Sequence, residues 1–442
     1  MTTLRDDLTD VHPFRAKIQI LMALSLTVPA FVVRFTHPEI SHPLEALLFG
    51  LAIVGAAFML SWAAEVAQLD ISAGLAIALL ALIAVLPEYA VDFVFARKGG
   101  ESFAQFGASC PSIPPGNESP CNLALANMTG ANRLLIGVGW TMVIFIAYFR
   151  LKKRNLLVME PNGRWEGVRL DREHSIEIGY LVVATLYSLT LPLKGSITLI
   201  DAAILVGIFA AYSFRVARAP AEEPHLVGPA RYLGTFAKVP RRSIVAGITV
   251  FAAGVILFFA ERFAEALVAS GEALNVSEFL LVQWVAPLAS ESPELLVAGL
   301  YAWRLNTNAG LGTLVSSKVN QWTLLVGTLP IVFAIAAGGF NGLPLDSVQR
   351  EELFLTAAQS VFAVAVISNL TMSLREAVFV FALFWAQFIL GGIVPERLHG
   401  IERIGVGIVY LLLAVWVLAT GKLDFRKMAH DAFRAPYDEL SE

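Results

Sequence analysis

Charge is what this chain has least of. Asp, Glu, Lys and Arg make up 15% of its 442 residues, against about 25% in a soluble protein of ordinary composition. Hydrophobic side chains account for 57%, and the mean hydropathy is +0.67. The apolar residues fall into blocks of about twenty, the length that crosses a bilayer as a helix. Histidine is scarce, seven in all, and none lies inside the polar spans. Neither His-Glu-x-x-His nor Gly-x-Ser-x-Gly occurs, which argues against an intramembrane enzyme. The lack of a phosphate-binding glycine loop argues against direct ATP driving. The first apolar block is long and has no small-residue cleavage site, so a cleavable signal peptide is not expected. Only two cysteines occur, Cys110 and Cys121, both in one polar loop. They suggest a local disulfide if that loop faces an oxidising side, with free thiols or a metal-binding pair as alternatives.

The composition implies an all-α polytopic membrane protein. Spans are expected at about 16–36, 44–66, 71–96, 121–149, 176–192 and 196–214, then 243–269, 277–303, 309–337, 352–370, 375–394 and 402–420. That makes about twelve transmembrane helices. The basic stretches Arg150–Arg172 and Arg215–Arg242, with the tail residues Lys422, Arg426, Lys427 and Arg434, all fall on one side of this arrangement. By the positive-inside rule that side is the cytoplasm, which also receives both termini. The Cys110/Cys121 loop then faces outward.

Two polar stretches interrupt the spans, and each has a counterpart. Pro287-Leu-Ala-Ser-Glu-Ser-Pro-Glu294 is followed by Ser316-Ser-Lys-Val-Asn-Gln321, and Ala84-Val-Leu-Pro-Glu-Tyr-Ala-Val-Asp92 by Leu123-Ala-Leu-Ala-Asn-Met-Thr-Gly-Ala-Asn132. A carboxylate at mid-span costs roughly 2.5–3.5 kcal/mol to insert, so such groups face a cavity or a partner. Glu88 and Asp92 are four residues apart on one helix face, and Glu291 and Glu294 are three apart. A proline before Glu88 and before Glu294 frees backbone carbonyls upstream. Carboxylates, hydroxyls and freed carbonyls together make the all-oxygen surroundings that hard cations prefer. The span carrying Glu88 runs outward and the one carrying Glu294 runs inward. The chain thus divides into an N-terminal segment with an extra helix (1–43), a five-helix repeat (44–214, polar motif 80–135) and a cytoplasmic basic linker (215–242). An inverted five-helix repeat (243–394, polar motif 277–330) and an extra C-terminal helix with its tail (395–442) complete it. Inverted repeats place substrate sites near the midplane, where they meet. Asp70 and Asn275, at loop ends, are read as helix caps.

These residues resemble the sodium/calcium exchanger (cation/calcium antiporter) superfamily. Its repeats read Gly-Thr-Ser-Leu-Pro-Glu on one helix and Gly-Asn-x-x-Gly-Ser-Asn on the next. Here Leu86-Pro-Glu88 and Ala126-Asn-Met-Thr-Gly-Ala-Asn132 match in the first repeat, and Ala289-Ser-Glu-Ser-Pro-Glu294 and Gly312-Thr-Leu-Val-Ser-Ser-Lys318 in the second. The resemblance implies Glu88 and Glu294 as central cation ligands, with Asn127, Ser290 and Ser317 at further motif positions. Glu291, Asp92 and Gln321 join them on the reading of the residues themselves. There are departures. Ala84 and Val85 replace the first hydroxyl pair, Glu291 replaces a serine, Lys318 replaces an asparagine, and Arg133 directly follows Asn132. Lys318 and Arg133 are therefore expected as site counter-ions or proton carriers, with Lys318 close to Glu291 or Glu294, since buried charges are paired.

The expected function is secondary active antiport, Ca2+ against Na+ or H+, by alternating access. The alternative is a Na+/H+ or other monovalent antiporter that uses Lys318 and the carboxylates; an intramembrane enzyme or a channel fits less well. The expected partners are the lipid bilayer and inorganic cations, with no nucleic acid, no ATP and no cofactor, and the expected location is the plasma (inner) membrane.

Overall fold

The computed structural model describes residues 13–70, 86–107, 110–111, 118–158, 165–219, 226, 228–274, 276–420 and 425–440. The part of the expected span 71–96 before Leu86, with Ala84 and Val85, lies outside them, as do Asn275 and Lys422.

Helices α1 (Pro13–Thr36) and α2 (His42–Ala67) pack together, followed by α3 (Leu86–Phe106), α4 (Pro120–Leu134), α5 (Thr141–Lys153), α6 (Ser175–Ser188) and α7 (Leu199–Val216). A short α8 (Pro229–Gly234) leads into α9 (Lys238–Leu274) and α10 (Glu278–Trp303). Then come α11 (Thr307–Asn320), α12 (Val326–Ala336), α13 (Ser347–Ile367), α14 (Leu374–Ile393) and α15 (His399–Thr420). Two π-helical turns, Leu135–Trp140 and Gln321–Leu325, join α4 to α5 and α11 to α12 at matching places.

Among the described residues, nine spans are long and apolar enough to cross a membrane. The sequence expectation was about twelve. Helices α3, α10 and α13 are not among the nine. Helix α3 is described only from Leu86, so its expected span is covered in part, while α10 with Glu291 and Glu294 and α13 with Arg350, Glu351 and Glu352 carry charge that lowers hydropathy.

The two halves are stitched reciprocally. Strand β1 (Val168–Arg169) pairs antiparallel with β4 (Thr371–Met372), and β2 (Ser196–Ile197) with β3 (Leu343–Pro344). Strand β1 precedes α6 while its partner β4 follows α13; β2 follows α6 while its partner β3 precedes α13. Helices α6 and α13 therefore run in opposite directions, and the ribbons lie at their opposite ends. This is the inverted relation inferred from the polar motifs. Helices α7 and α14 even open alike, on the reciprocal capping boxes Thr198–Asp201 and Ser373–Glu376, which satisfy orphan backbone donors at each helix start.

Helix α9 lies along α2 through aromatic contacts, with Phe49 and Phe259 ring centroids 5.4 Å apart. Beyond the end of α2, Asp70 is ion-paired to Arg241 at 2.8 Å and to Arg242 at 3.3 Å rather than acting as a cap. The Arg241 guanidinium, bonding both carboxylate oxygens, holds the Asp70 carboxyl below the usual range.

Small residues bring the site-bearing helices together. A Cβ on Gly130 of α4 would lie 1.6 Å from the Gln283 carbonyl oxygen of α10. Gly130→Ala must therefore separate α4 from α10, at a cost of about 1–3 kcal/mol or more for such overpacking. The expected result is a lowered thermal unfolding midpoint for the purified protein in detergent. An unchanged midpoint would contradict this close approach.

Candidate functional site

Helices α3, α4, α10 and α11 converge where their polar motifs meet. Glu88, Asp92, Asn127, Ser290, Glu291, Ser317 and Gln321 are all buried, and Glu294 is half-buried with its Oε2 enclosed. Gln321, the first residue of the second π turn, donates from its single amide nitrogen to Glu88 Oε1 at 3.2 Å and also to Glu291 Oε1. It thereby joins carboxylates from the two halves. Asn127 Nδ2 donates to Asp92 Oδ1 at 2.8 Å. Ser290 turns its hydroxyl hydrogen back toward the Ala286 and Pro287 carbonyls, both at 3.3 Å, which leaves its oxygen lone pairs available.

What remains is a surplus of acceptors. Glu88 Oε2, Asp92 Oδ2, Asn127 Oδ1, Glu291 Oε2, Glu294 Oε2 and Gln321 Oε1 are buried with no hydrogen-bond partner. Buried acceptors without donors are costly, and oxygen-only surroundings of this kind suit a hard cation, which takes six to eight oxygen ligands when it is Ca2+. Glu88, Glu291 and Glu294 do not all close to within 4.8 Å of one another. Among the described residues only His430, Asp431 and Glu439 do so, and there Arg172 already bonds Asp431 and lies 3.8 Å from Glu439.

The two expected counter-ions make different contacts. Lys318 is fully buried, but its ammonium donates to Asn132, at 2.9 Å to the backbone oxygen and 2.6 Å to Oδ1, and lies 5.1 Å from the Trp322 ring centroid. Asn132 is the residue at the matching position of the first repeat. The lysine is thus held on the seam between the halves by neutral oxygens and a ring face, and not by a carboxylate salt bridge. Arg133 pairs with Glu352 at 2.8 Å, bonds Gln387, and stacks 5.0 Å from the Trp284 ring. Its charge is discharged there and is not available to the Glu88 group.

Sequence reading missed the rest of this second network. Glu352 also receives Gln283 at 2.8 Å and Arg403 at 2.7 Å, while Arg403 reaches Glu351 at 3.1 Å. Glu352 and Arg403 stand at the first residues of their expected spans, where charge is ordinary, so spacing gave no signal for them. Through Arg403 the network ties α15 to α4. Cys110 and Cys121 are disulfide-bonded, joining the segment after α3 to the first turn of α4.

The family model described as sodium/calcium exchanger protein matches the chain twice, over residues 43–217 and 244–419. The chain belongs to the sodium/calcium exchanger family; it is an integral, multi-pass membrane transporter and not an enzyme. A solved structure titled as the H+/Ca2+ exchanger CAX is 40% identical, with 95% of this chain and 97% of that chain covered and a TM-score of 0.82. The structure of native YfkE shares the fold at 13% identity, covering 89% of this chain and 100% of that one with a TM-score of 0.56. None of the curated proteins matches.

Removing one member of a buried ion pair typically costs about 3–5 kcal/mol, because the other charge is left uncompensated. Arg133→Gln and Glu352→Gln are each expected to lower the unfolding midpoint, and the double variant by less than the two effects added. The coupling should be at least about 1 kcal/mol. Strict additivity would show that the pair is not a unit.

Proposed function

We propose that this protein is a secondary active antiporter that carries Ca2+ against H+ by alternating access to a midplane site between its halves. The observation that carries this reading is the set of six buried, unpartnered oxygens contributed by both motif pairs. The choice of H+ over Na+ draws on the 40% identical structure titled as an H+/Ca2+ exchanger. Lys318 adds to it, since a tethered ammonium now stands at the position of a motif asparagine. Glu88, Glu291 and Glu294, with Asn127, Ser290, Ser317, Gln321 and Asp92, form the cation's oxygen surroundings. Protons and Ca2+ compete for the same carboxylates, and either neutralises the site enough for it to change sides. A vacant, fully charged site resists the movement because its desolvation is uncompensated. Exchange rather than leak follows from that asymmetry.

In this reading, residues 44–214 and 243–394 are the exchanger repeats, flanked by 1–43, 215–242 and 395–442. The doubled match of the family model supports two repeats, with its second part running on over α15 to residue 419. Both termini lie in the cytoplasm of the plasma (inner) membrane, with the Cys110–Cys121 disulfide outside. The pairing of β1 with β4 supports the span order, since it joins two connections that this topology assigns to one face.

The test is Ca2+ uptake into proteoliposomes under an outward H+ or an outward Na+ gradient. Uptake driven by H+ alone is the expected result, and uptake driven only by Na+ would overturn the choice of counter-ion. A complete lack of Ca2+ flux would favour monovalent exchange, the reading in which Lys318 and the carboxylates carry the protons. Glu88→Gln and Glu294→Gln are expected to abolish coupled transport while the protein stays folded. Wild-type flux in both variants would sink the site assignment.

A further inference from the structure

One face of α11, the helix that carries Ser317 and leads into Gln321, is zipped to the segment that opens α6. Asn308, Gly312 and Ser316 lie four residues apart and form a single stripe on α11. Asp171 meets the first of them. Its backbone N–H donates to Asn308 Oδ1 at 2.9 Å, and Asn308 Nδ2 donates back to the Asp171 carboxylate at 2.6 Å. The His174 ring lies against the second, so close that a Cβ on Gly312 would stand 2.2 Å from its Cε1. Glu177 meets the third, with Ser316 Oγ 3.5 Å from its Oε1.

The same segment is held from behind by residues that follow α15. Helix α16 (Phe425–Phe433) packs on α6. There a Cβ on Gly179 would lie 2.3 Å from the Ala432 Cβ, and the Tyr180 and Phe433 rings meet edge to face at 5.2 Å. Arg172, next to Asp171, pairs with Asp431 at 3.2 Å and donates to the Glu439 backbone oxygen at 2.9 Å. On α7, Arg215 donates to the Ala435 backbone oxygen and lies over the Tyr437 ring, whose hydroxyl donates to the Arg215 carbonyl at 3.2 Å. The hold is light. Arg172 remains 31% exposed and Phe433 42% exposed, and solvent-screened contacts of this kind open readily.

With these residues docked, Gln321 reaches both Glu88 and Glu291. Seating α11 in advance spares an arriving cation the cost of ordering it. We propose that residues 425–440 are a cytoplasmic clamp on the cation site: docked against α6 they seat α11 and raise the affinity for Ca2+, and undocked they lower it. The clamp rests on the exchanger reading and adds regulation to it. Coupling between two sites is reciprocal, so bound Ca2+ must tighten the clamp by the same factor.

The measurement is backbone hydrogen exchange over 425–440 in the full-length protein in detergent, with and without saturating Ca2+, beside the Kd for Ca2+ by calorimetry at fixed pH. Ca2+ is expected to slow that exchange about fivefold, the lower end of ordinary coupling. The slowing should vanish in Glu294→Gln. Protection that persists there would mean that Ca2+ binds His430, Asp431 and Glu439 directly, and would overturn the clamp. Arg172→Gln, which removes the ion pair, and Gly179→Leu, which displaces α16 by bulk, are each expected to raise the Kd by about the same fivefold. Neither is among the residues that meet the α11 stripe. If one of them does not fold, the other and the wild-type exchange carry the test. A merely structural tail would lower the unfolding midpoint in both variants and leave the Kd unchanged, which overturns the clamp; so does exchange that Ca2+ leaves unchanged or quickens. A wild-type protein that binds no Ca2+ overturns the exchanger reading, and the clamp with it. Ca2+ binding with no effect on 425–440 overturns the clamp alone.

Discussion

The structure depends on what it costs to keep carboxylates out of water. Glu88, Asp92 and Glu291 are at most 2% exposed, and an isolated buried charge is expensive enough that it must be neutralised or ligated. The fold meets this demand with two amide side chains. Gln321 spans Glu88 and Glu291, and Asn127 bonds Asp92. Amides are weak neutralisers. They hold the carboxylates in place without supplying a counter-charge, and so leave any charge there to be balanced by something that can come and go. An arginine in their place would make a stable core and a dead site.

The two buried cations make the same point from the other side. Arg133 sits one residue from Asn132, close enough in sequence to have quenched the site, yet it is drawn off by Glu352 and Gln387 and covered by Trp284. Lys318 is held by the oxygens of Asn132 and the face of Trp322. Arg133 is anchored by groups that the repeat motifs do not contain, whereas Lys318 is tethered to Asn132, the last residue of the first motif. The network around Glu352 is thus a structural counterweight. It binds α4, α10, α13, α14 and α15 together while keeping a guanidinium from collapsing onto the cation position.

Much of this was legible in the sequence, because the physics of a bilayer is severe. Apolar blocks of span length, basic loops on one side, and Pro-Glu pairs at matching places carried the helical class, the inverted halves and the carboxylate group. The parts that were not legible depend on side-chain direction. Spacing put Lys318 near Glu291, but it could not say that the ammonium would turn to Asn132. Arg133 was seen as a site charge because its partner, Glu352, lies 219 residues away at a helix start where an acid is unremarked. The spans expected at 277–303 and 352–370 are present as α10 and α13, although the charged residues they carry lower their hydropathy. The π turns had no sequence signature, yet one of them begins at Gln321.

Helix α9 differs from the rest of the scaffold in how it is held. The ribbons pin the connections around α6 and α13, whereas α9 meets α2 through rings such as Phe49 and Phe259, which have no preferred register. Its directional bonds lie toward its ends: Arg241 to Asp70 at one, and near the other Glu261 to Arg97 and Glu265 to Lys98, which are largely exposed. Exposed pairs of this kind are worth at most about 1 kcal/mol each. Sliding α9 along α2 exchanges one set of dispersion contacts for another of the same kind, so friction, and not bond breaking, sets most of the resistance. The helix is held firmly at the Arg241 end and only by light catches near the other, with a ring-lined face between.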